Sequence, residues 1–518
     1  MQKTVAFLVF TLLFSTLFAA SAGTFCGTAK ASTAVNGLIE HDQTWNVANS
    51  PYTLTGPVSI NPGVTVTVEP GVTVDLNDHY LQVNGTLRAV GSAGSQITFT
   101  SSPLTTNPQP DLIFTPLSEG WNDQTASGSI LQNVALPYLT SIYASVKIDQ
   151  CSINSLLVED GSAVISDCSI FSILVRGGSP TITGNDIKGS YALQGMSGDW
   201  GFTIGGGSPM ITSNSIHIRP WARNGAPTFS GNKLYEGLSA DSAGSSLTVV
   251  GNELYSGTFP LILNVAGIHA DISENKFIGN NRDATAITVS NILSSATITN
   301  NIITQCNVGI SLTQCRVQVN KNVIFNCNTA INIDFGPPLK GASGTYALPP
   351  TADITQNTIA QNNIGIDCQP YNLNNIAYNN IQDSSQYSFK LRSASSIQVP
   401  NNWWGTTDTN AIEQSIFDRK NDFNMGTVTF TPILTSPSPD APAIPSDLSA
   451  PLTTPAATSQ PTATQNPNEN PHAPTPQGAT TAPSGSFSLD HLQLVILAVV
   501  IVAVTVVVAV LIFGRKQT

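Results

Sequence analysis

The chain has 518 residues, only 10% of them charged, and a formal net charge of −12. A phosphate-binding surface needs clustered Lys and Arg, so this balance excludes a nucleic-acid partner. Seven cysteines in so long a chain make no disulfide framework, and the polar surface is left to Asn, Ser, Thr and Gln, as suits a β protein of the cell exterior.

Residues 1–22 have the form of a secretory signal: Lys3 near the start, an apolar run from Val5 to Phe18, and the small-residue site Ala20-Ser21-Ala22. Cys26 follows the bulky Phe25, which argues against lipidation at that point. From about 45 to 101 the spacing predicts the first strands, with Val64, Val66, Val68, Val72 and Val74 on alternate positions and Pro62-Gly63 and Pro70-Gly71 at turns. Asn84 opens the chain's single glycosylation sequon and is the candidate glycan site, although it also falls at a turn. Residues 102–128 are turn-rich and poorly periodic and read as a loop.

An internal repeat then governs the chain from about 130 to 404. An asparagine returns at Asn185, Asn214, Asn232, Asn252, Asn275, Asn301, Asn322, Asn357, Asn379 and Asn402. Each has an apolar residue three before it and most have another two after, and the steps are 29, 18, 20, 23, 26, 21, 35, 22 and 23 residues. Alternation on either side of one irregular step predicts a strand that bends at or beside the Asn, because the bend needs left-handed backbone. Stacked at the strand spacing of roughly 4.8 Å, each amide donates to the coil above and accepts from the coil below. Asn133 begins the series, and Cys151 and Cys168 hold the same position in two early coils. Cys306 and Cys327 each follow their ladder Asn by five residues. Stacking sets both pairs at distances that admit either a disulfide or two buried thiols. The two longest steps hold "GSYALQGMSGDWGFTIGGG" and "GPPLKGASGTYALPP", and each is expected to leave the wall as a loop or to conceal an irregular coil.

After 435 the composition changes. Residues 436–488 are Pro, Thr, Ala, Ser and Gln with almost no large apolar side chain, so they bury no core and read as a disordered stalk. Residues 489–513 contain the apolar run Leu492 to Phe513, long enough to span a bilayer. Arg515 and Lys516 place the tail, 514–518, inside by the positive-inside rule. A single-pass type I protein of the cell membrane is expected, with its ectodomain, 23–435, outside.

The opening "SPYTLTGPVSINPGVTVTVEPGVTVDLNDHYLQVNGTLRAVGSAGSQITFTS" and the closing "NNWWGTTDTNAIEQSIFDRKNDFNMGTVTFTPIL", with the Asn column between them, resemble the pectate-lyase-like superfamily. In particular they resemble membrane-anchored surface proteins of bacteria and archaea. The resemblance covers roughly 45–435 and implies an all-β right-handed parallel β-helix solenoid whose last segment, 401–435, is a cap. Trp403 and Trp404 would close its core.

Lyases and hydrolases of that superfamily act through clustered carboxylates, with Ca²⁺ and a basic residue in the lyases or paired Asp in the hydrolases. "RPWAR", Arg219 to Arg223, is superficially similar to a lyase motif, but Arg223 aligns with Arg176 as a repeat position. No catalytic residue is assigned, and no cofactor is expected unless the chain is a lyase holding Ca²⁺. His41, His79, His217 and His269 show no metal-ligand spacing, so no metal site is expected. If the Asn and the residue two after it face inward, the residue three after faces out, which aligns Lys188, His217, Tyr235, Tyr255 and Ile278. Beside them run Asp186, Ser215, Lys233, Glu253 and Lys276. Such a stripe is a candidate site for an envelope or extracellular polysaccharide, with Trp200 and Trp221 at its border. Two functions follow as expectations: a structural, adhesive or carbohydrate-binding surface protein, or a tethered polysaccharide lyase or glycoside hydrolase.

Overall fold

The computed structural model describes residues 31–101, 111–189, 201–241, 245–279, 283–291, 293–335, 350–370 and 374–448. The signal segment, stalk residues 449–488, the apolar span 489–513 and the tail 514–518 lie outside the described residues, as do Cys26 and Trp200. Among the described residues no helix is long and apolar enough to cross a membrane.

Nearly all regular structure is strand. One sheet has 29 described strands and another 15, and the registers are parallel. The chain visits three rows in turn. Thr181–Thr183 lies in the smaller sheet, Asp186–Ile187 in a second row, Phe202–Ile204 in a third, and the next coil repeats this with Met210–Thr212, Ser215–Ile216 and Trp221–Ala222. Each strand pairs with its counterpart one coil on. The second and third rows join into one sheet because Ser152–Val158 and Ser169–Val175 run unbroken through both.

Alternation decides what faces in. In the smaller sheet Ile182, Ile211, Phe229, Val249, Ile272, Ile298, Val319 and Ile354 stack in register, all fully buried. Burying one such side chain stabilises by about 1.5–3 kcal/mol, and the gain recurs every coil. The residue after the strand then turns left-handed, with φ between 51° and 67° at Asp167, Gly184, Ser213, Gly231, Gly251, Glu274, Asn300, Lys321, Gln356, Tyr378 and Asn401. The bend thus sits one residue before each ladder position and leaves the amide free to point inward.

The ladder is continuous. The Oδ1 of Asn214 accepts from both the backbone N–H (2.8 Å) and the Nδ2 (2.9 Å) of Asn185, and the pattern repeats to Asn402. Asn133 does not begin it. That residue has φ 49° and bonds Gln150, so it holds the bend position, and the series opens with buried Val134. Cys151 and Cys168 follow, with the Cys168 N–H donating to Asn185 Oδ1 at 2.9 Å. A shorter second column, Cys306, Cys327 and Asn362, repeats the device: the Cys327 N–H donates to Asn362 Oδ1 at 2.9 Å.

All six described cysteines are buried and free. The hydrogen bond to Cys327, and then burial, push the Cys306 thiol up, while burial pushes Cys315 and Cys368 up to about 12. Such thiols carry almost no nucleophilic thiolate at neutral pH. Intact mass is therefore expected to be unchanged by reductant, and a loss of two hydrogens per pair would show that the stacked cysteines oxidise.

Glycines make a further column where the third row turns back to the smaller sheet. Gly161, Gly178, Gly207 and Gly225 have φ from 71° to 86°, and a Cβ on any of the last three would fall on the carbonyl oxygen of the glycine one coil before. The long steps hide no extra coil, since Thr181–Thr183 pairs directly with Met210–Thr212 and Arg316–Asn320 with Thr351–Thr355. Nor is 102–128 only a loop: Leu112–Phe114 is a strand between Leu81–Val83 and Leu139–Ile142. Strands also begin earlier than 45, at Thr33–Ile39.

Trp404 is buried edge-on against Phe430 at 6.3 Å, where the short helix Thr409–Gln414 brings Ile412 to close the core. Trp403 instead lies on the outer wall, its indole N–H donating to Gln382. The segment after the cap is not free, although composition assigns it to the stalk. Ser438 N–H donates to Asn380 Oδ1 at 2.7 Å, and Gln356 donates to Asp440, one coil further back.

Candidate functional site

The second row carries the predicted stripe. Its strands are short, from Asp186–Ile187 to Lys276–Ile278, so each coil offers an outward residue at either side of one buried side chain. His217, Tyr235 and Tyr255 line up there. The imidazole and the Tyr235 ring are 4.6 Å apart and 8° from parallel, and the two tyrosine rings are 5.5 Å apart and 10° from parallel. The ring faces are thus taken up by one another. A sugar cannot lie flat on them as the sequence led us to expect, and what the stripe shows to solvent is ring edges and polar tips.

Those tips are joined to the flanking column. His217 Nε2 lies 3.1 Å from Asp186, which also meets Lys188 at 3.5 Å. Tyr255 Oη donates to Glu253 at 2.9 Å, and Lys233 lies 3.4 Å from the same carboxylate. Burial and the bond to Glu253 push the Tyr255 phenol up to about 12. The bond from Tyr255, with Lys233 nearby, holds Glu253 below the usual carboxylate range. The phenol is therefore a neutral donor at all ordinary pH. Phe171, exposed, extends the column one coil before Lys188, because Ile170 pairs with Ile187. Searching from asparagines alone missed it, since its coil carries Cys168.

Trp221 does not join the stripe. It stands in the third row, donates to Asp241 at 2.9 Å and lies under Arg223, whose guanidinium is 4.3 Å from the ring centre. Arg219 is bound to the carbonyls of Glu236, Leu238 and Leu261, a fastening of the wall rather than a base. Asn84 is held on both sides, its Nδ2 donating to Ser59 and its Oδ1 accepting from Thr115 and Gln82. The sequon's Thr86 is buried against Glu119.

Further along the third row the outward column reads Ser239, Asn264, Thr288, Ser311 and Asn332, a wall of small polar side chains. It ends in a network in which Arg392 binds Asp367, Gln369 and Asn332, with Lys390 3.6 Å from Asp367. Among the described residues no group of three or more His, Cys, Asp or Glu side chains is placed to hold a metal ion. No family model, curated protein or solved structure matches the chain.

Proposed function

We propose that the chain is a cell-surface protein, exported and held by its C-terminal apolar span, whose coils wind as a right-handed parallel β-helix of the pectate-lyase-like kind and bind carbohydrate. Crossovers between parallel strands are right-handed almost without exception, which supports the hand. The stripe of His217, Tyr235 and Tyr255 supports the binding role most directly. Three half-exposed rings, held rigid by stacking and rimmed by Asp186, Lys188, Lys233 and Glu253, offer donors and acceptors at a fixed repeat, which is how a hydroxyl-rich polymer is held.

The experiment is a glycan array with the full chain in detergent, wild type against the double variant Tyr235→Ala/Tyr255→Ala. Losing the Tyr255–Glu253 pair and the rigid edge is expected to weaken binding about tenfold, the equivalent of one or two hydrogen bonds. Equal binding by the two proteins would refute the stripe. The second reading, a tethered polysaccharide lyase or hydrolase, has one observation behind it: Asp367 set between Arg392 and Lys390. Release of fragments from uronic-acid polymers would support that reading, and Arg392→Ala would abolish the release.

A further inference from the structure

The cap carries a feature that closing the stack does not require. Among the described residues the most exposed large apolar side chain is Phe423, at 80%. Lone apolar residues on a flat wall are ordinary, but this one stands on a braced loop, 418–426, between the short strands Ile416–Phe417 and Val428–Thr429. Asp418 is the brace. Its buried carboxylate accepts from the Lys420 N–H at 3.0 Å and the Val428 N–H at 3.1 Å, with the Lys420 ammonium 3.3 Å away. Across the base of the loop the Arg419 N–H donates to the Gly426 carbonyl at 2.9 Å, and the Gly426 N–H donates to Ser393 at 2.7 Å, which fastens the loop to the wall. Asp422 accepts from both the backbone N–H and the side-chain amide of Asn424. The backbone is thus fixed on both sides of Phe423, and the ring is held out in water by design of the loop.

Two cations precede the ring on the same loop. Lys420 is answered by Asp418, whereas the exposed guanidinium of Arg419 meets no acceptor or ring among the described residues. A phenyl ring and a free planar fork on one rigid loop fit the boundary of a phospholipid bilayer, with the ring among the upper acyl carbons and the fork on a lipid phosphate. The loop's charges, Asp418, Arg419, Lys420 and Asp422, cancel. General attraction to an anionic surface is therefore not what would bring it there.

We propose that loop 418–426 docks on the membrane surface by inserting Phe423, with Arg419 on a phosphate headgroup. Docking of this kind rests on the reading of 489–513 as a bilayer span. One ring and one ion contact are too weak to hold a free protein, but a chain anchored in the same bilayer meets that surface at an effective concentration on the order of millimolar.

The test uses the full chain reconstituted in phosphatidylcholine vesicles, with Cys26→Ser and with Asn424→Cys carrying a polarity-sensitive fluorophore. The six described cysteines are buried and should take no label. Nitroxide on the upper acyl carbons is expected to quench the label at 424, and aqueous iodide is expected to reach it poorly. A label on Leu117→Cys, exposed elsewhere on the protein, should stay open to iodide and unquenched by the lipid. Phe423→Asp should weaken docking about tenfold or more and restore access to iodide. Arg419→Ala should weaken it less, and adding anionic lipid should change little. Absence of lipid quenching in the parent, equal quenching in the parent and Phe423→Asp, or shielding from iodide without lipid quenching, which would mean that protein covers the loop, would each overturn the docking. An alkaline wash tells this failure from that of the span. Chain stripped from the vesicles after its label had been quenched removes the span and keeps the docking loop, and chain that resists the wash with an unquenched label does the reverse.

Discussion

Asn301→Ala is expected to destabilise the coiled stack by about 3–5 kcal/mol, far more than an ordinary Asn→Ala change. The side chain is fully buried in mid-column. Its Oδ1 accepts from Asn275 backbone N–H and Nδ2, both at 3.0 Å, while its own Nδ2 donates to Asn322 Oδ1 and to the carbonyls of Ile272 and Thr299. Alanine leaves the Asn275 N–H and the Ile272 carbonyl without this partner in a site closed to water. Each orphaned group costs about 1–3 kcal/mol, whereas a satisfied bond contributes only about 0.5–1.5. The column therefore acts mainly by punishing misregister. Denaturant unfolding of the full chain, with exposed Asn375→Ala as control, measures the effect. A loss below about 1 kcal/mol would mean that the column is not continuous in solution.

Gly207→Ala is the second large effect, expected at about 3 kcal/mol or more. Two terms contribute. Left-handed backbone at φ 75° costs an L side chain about 1–2 kcal/mol. The new methyl would also meet the Gly178 carbonyl oxygen, which accepts from the Ser208 N–H at 2.8 Å. Backbone cannot yield as a side chain can, so the coils must part, and overpacking of this kind typically costs about 1–3 kcal/mol. Gly63→Ala separates the terms, because that glycine has φ 76° with nothing near its added Cβ. It should lose only the backbone share. Equal losses at the two positions would remove the steric claim.

Much of this stack can be read in the chain because one residue type marks each storey. Asn185 to Asn402 fix the coil count and the register, and the outward column from Lys188 to Tyr255 follows from alternation alone. What the pattern concealed has physical causes. Where Val134, Cys151 and Cys168 hold the ladder position, no amide signals it, so Asn133 was misplaced and Phe171 overlooked. The third row is hard to see because the turn before it changes length from coil to coil. Ring-on-ring contact between His217 and Tyr235 depends on side-chain torsion, which spacing does not encode. Ser438 and Asp440 sit in linker-like composition, and only their partners Asn380 and Gln356 reveal that they are bound.

That last contact settles how the molecule takes load. Any tension drawn through the chain beyond residue 448 reaches the bonds from Ser438 to Asn380 and from Asp440 to Gln356 before it reaches Trp404 and Phe430. The strap would peel away bond by bond and spend slack, much as a fuse yields before the circuit, while the storeys beneath keep their grip.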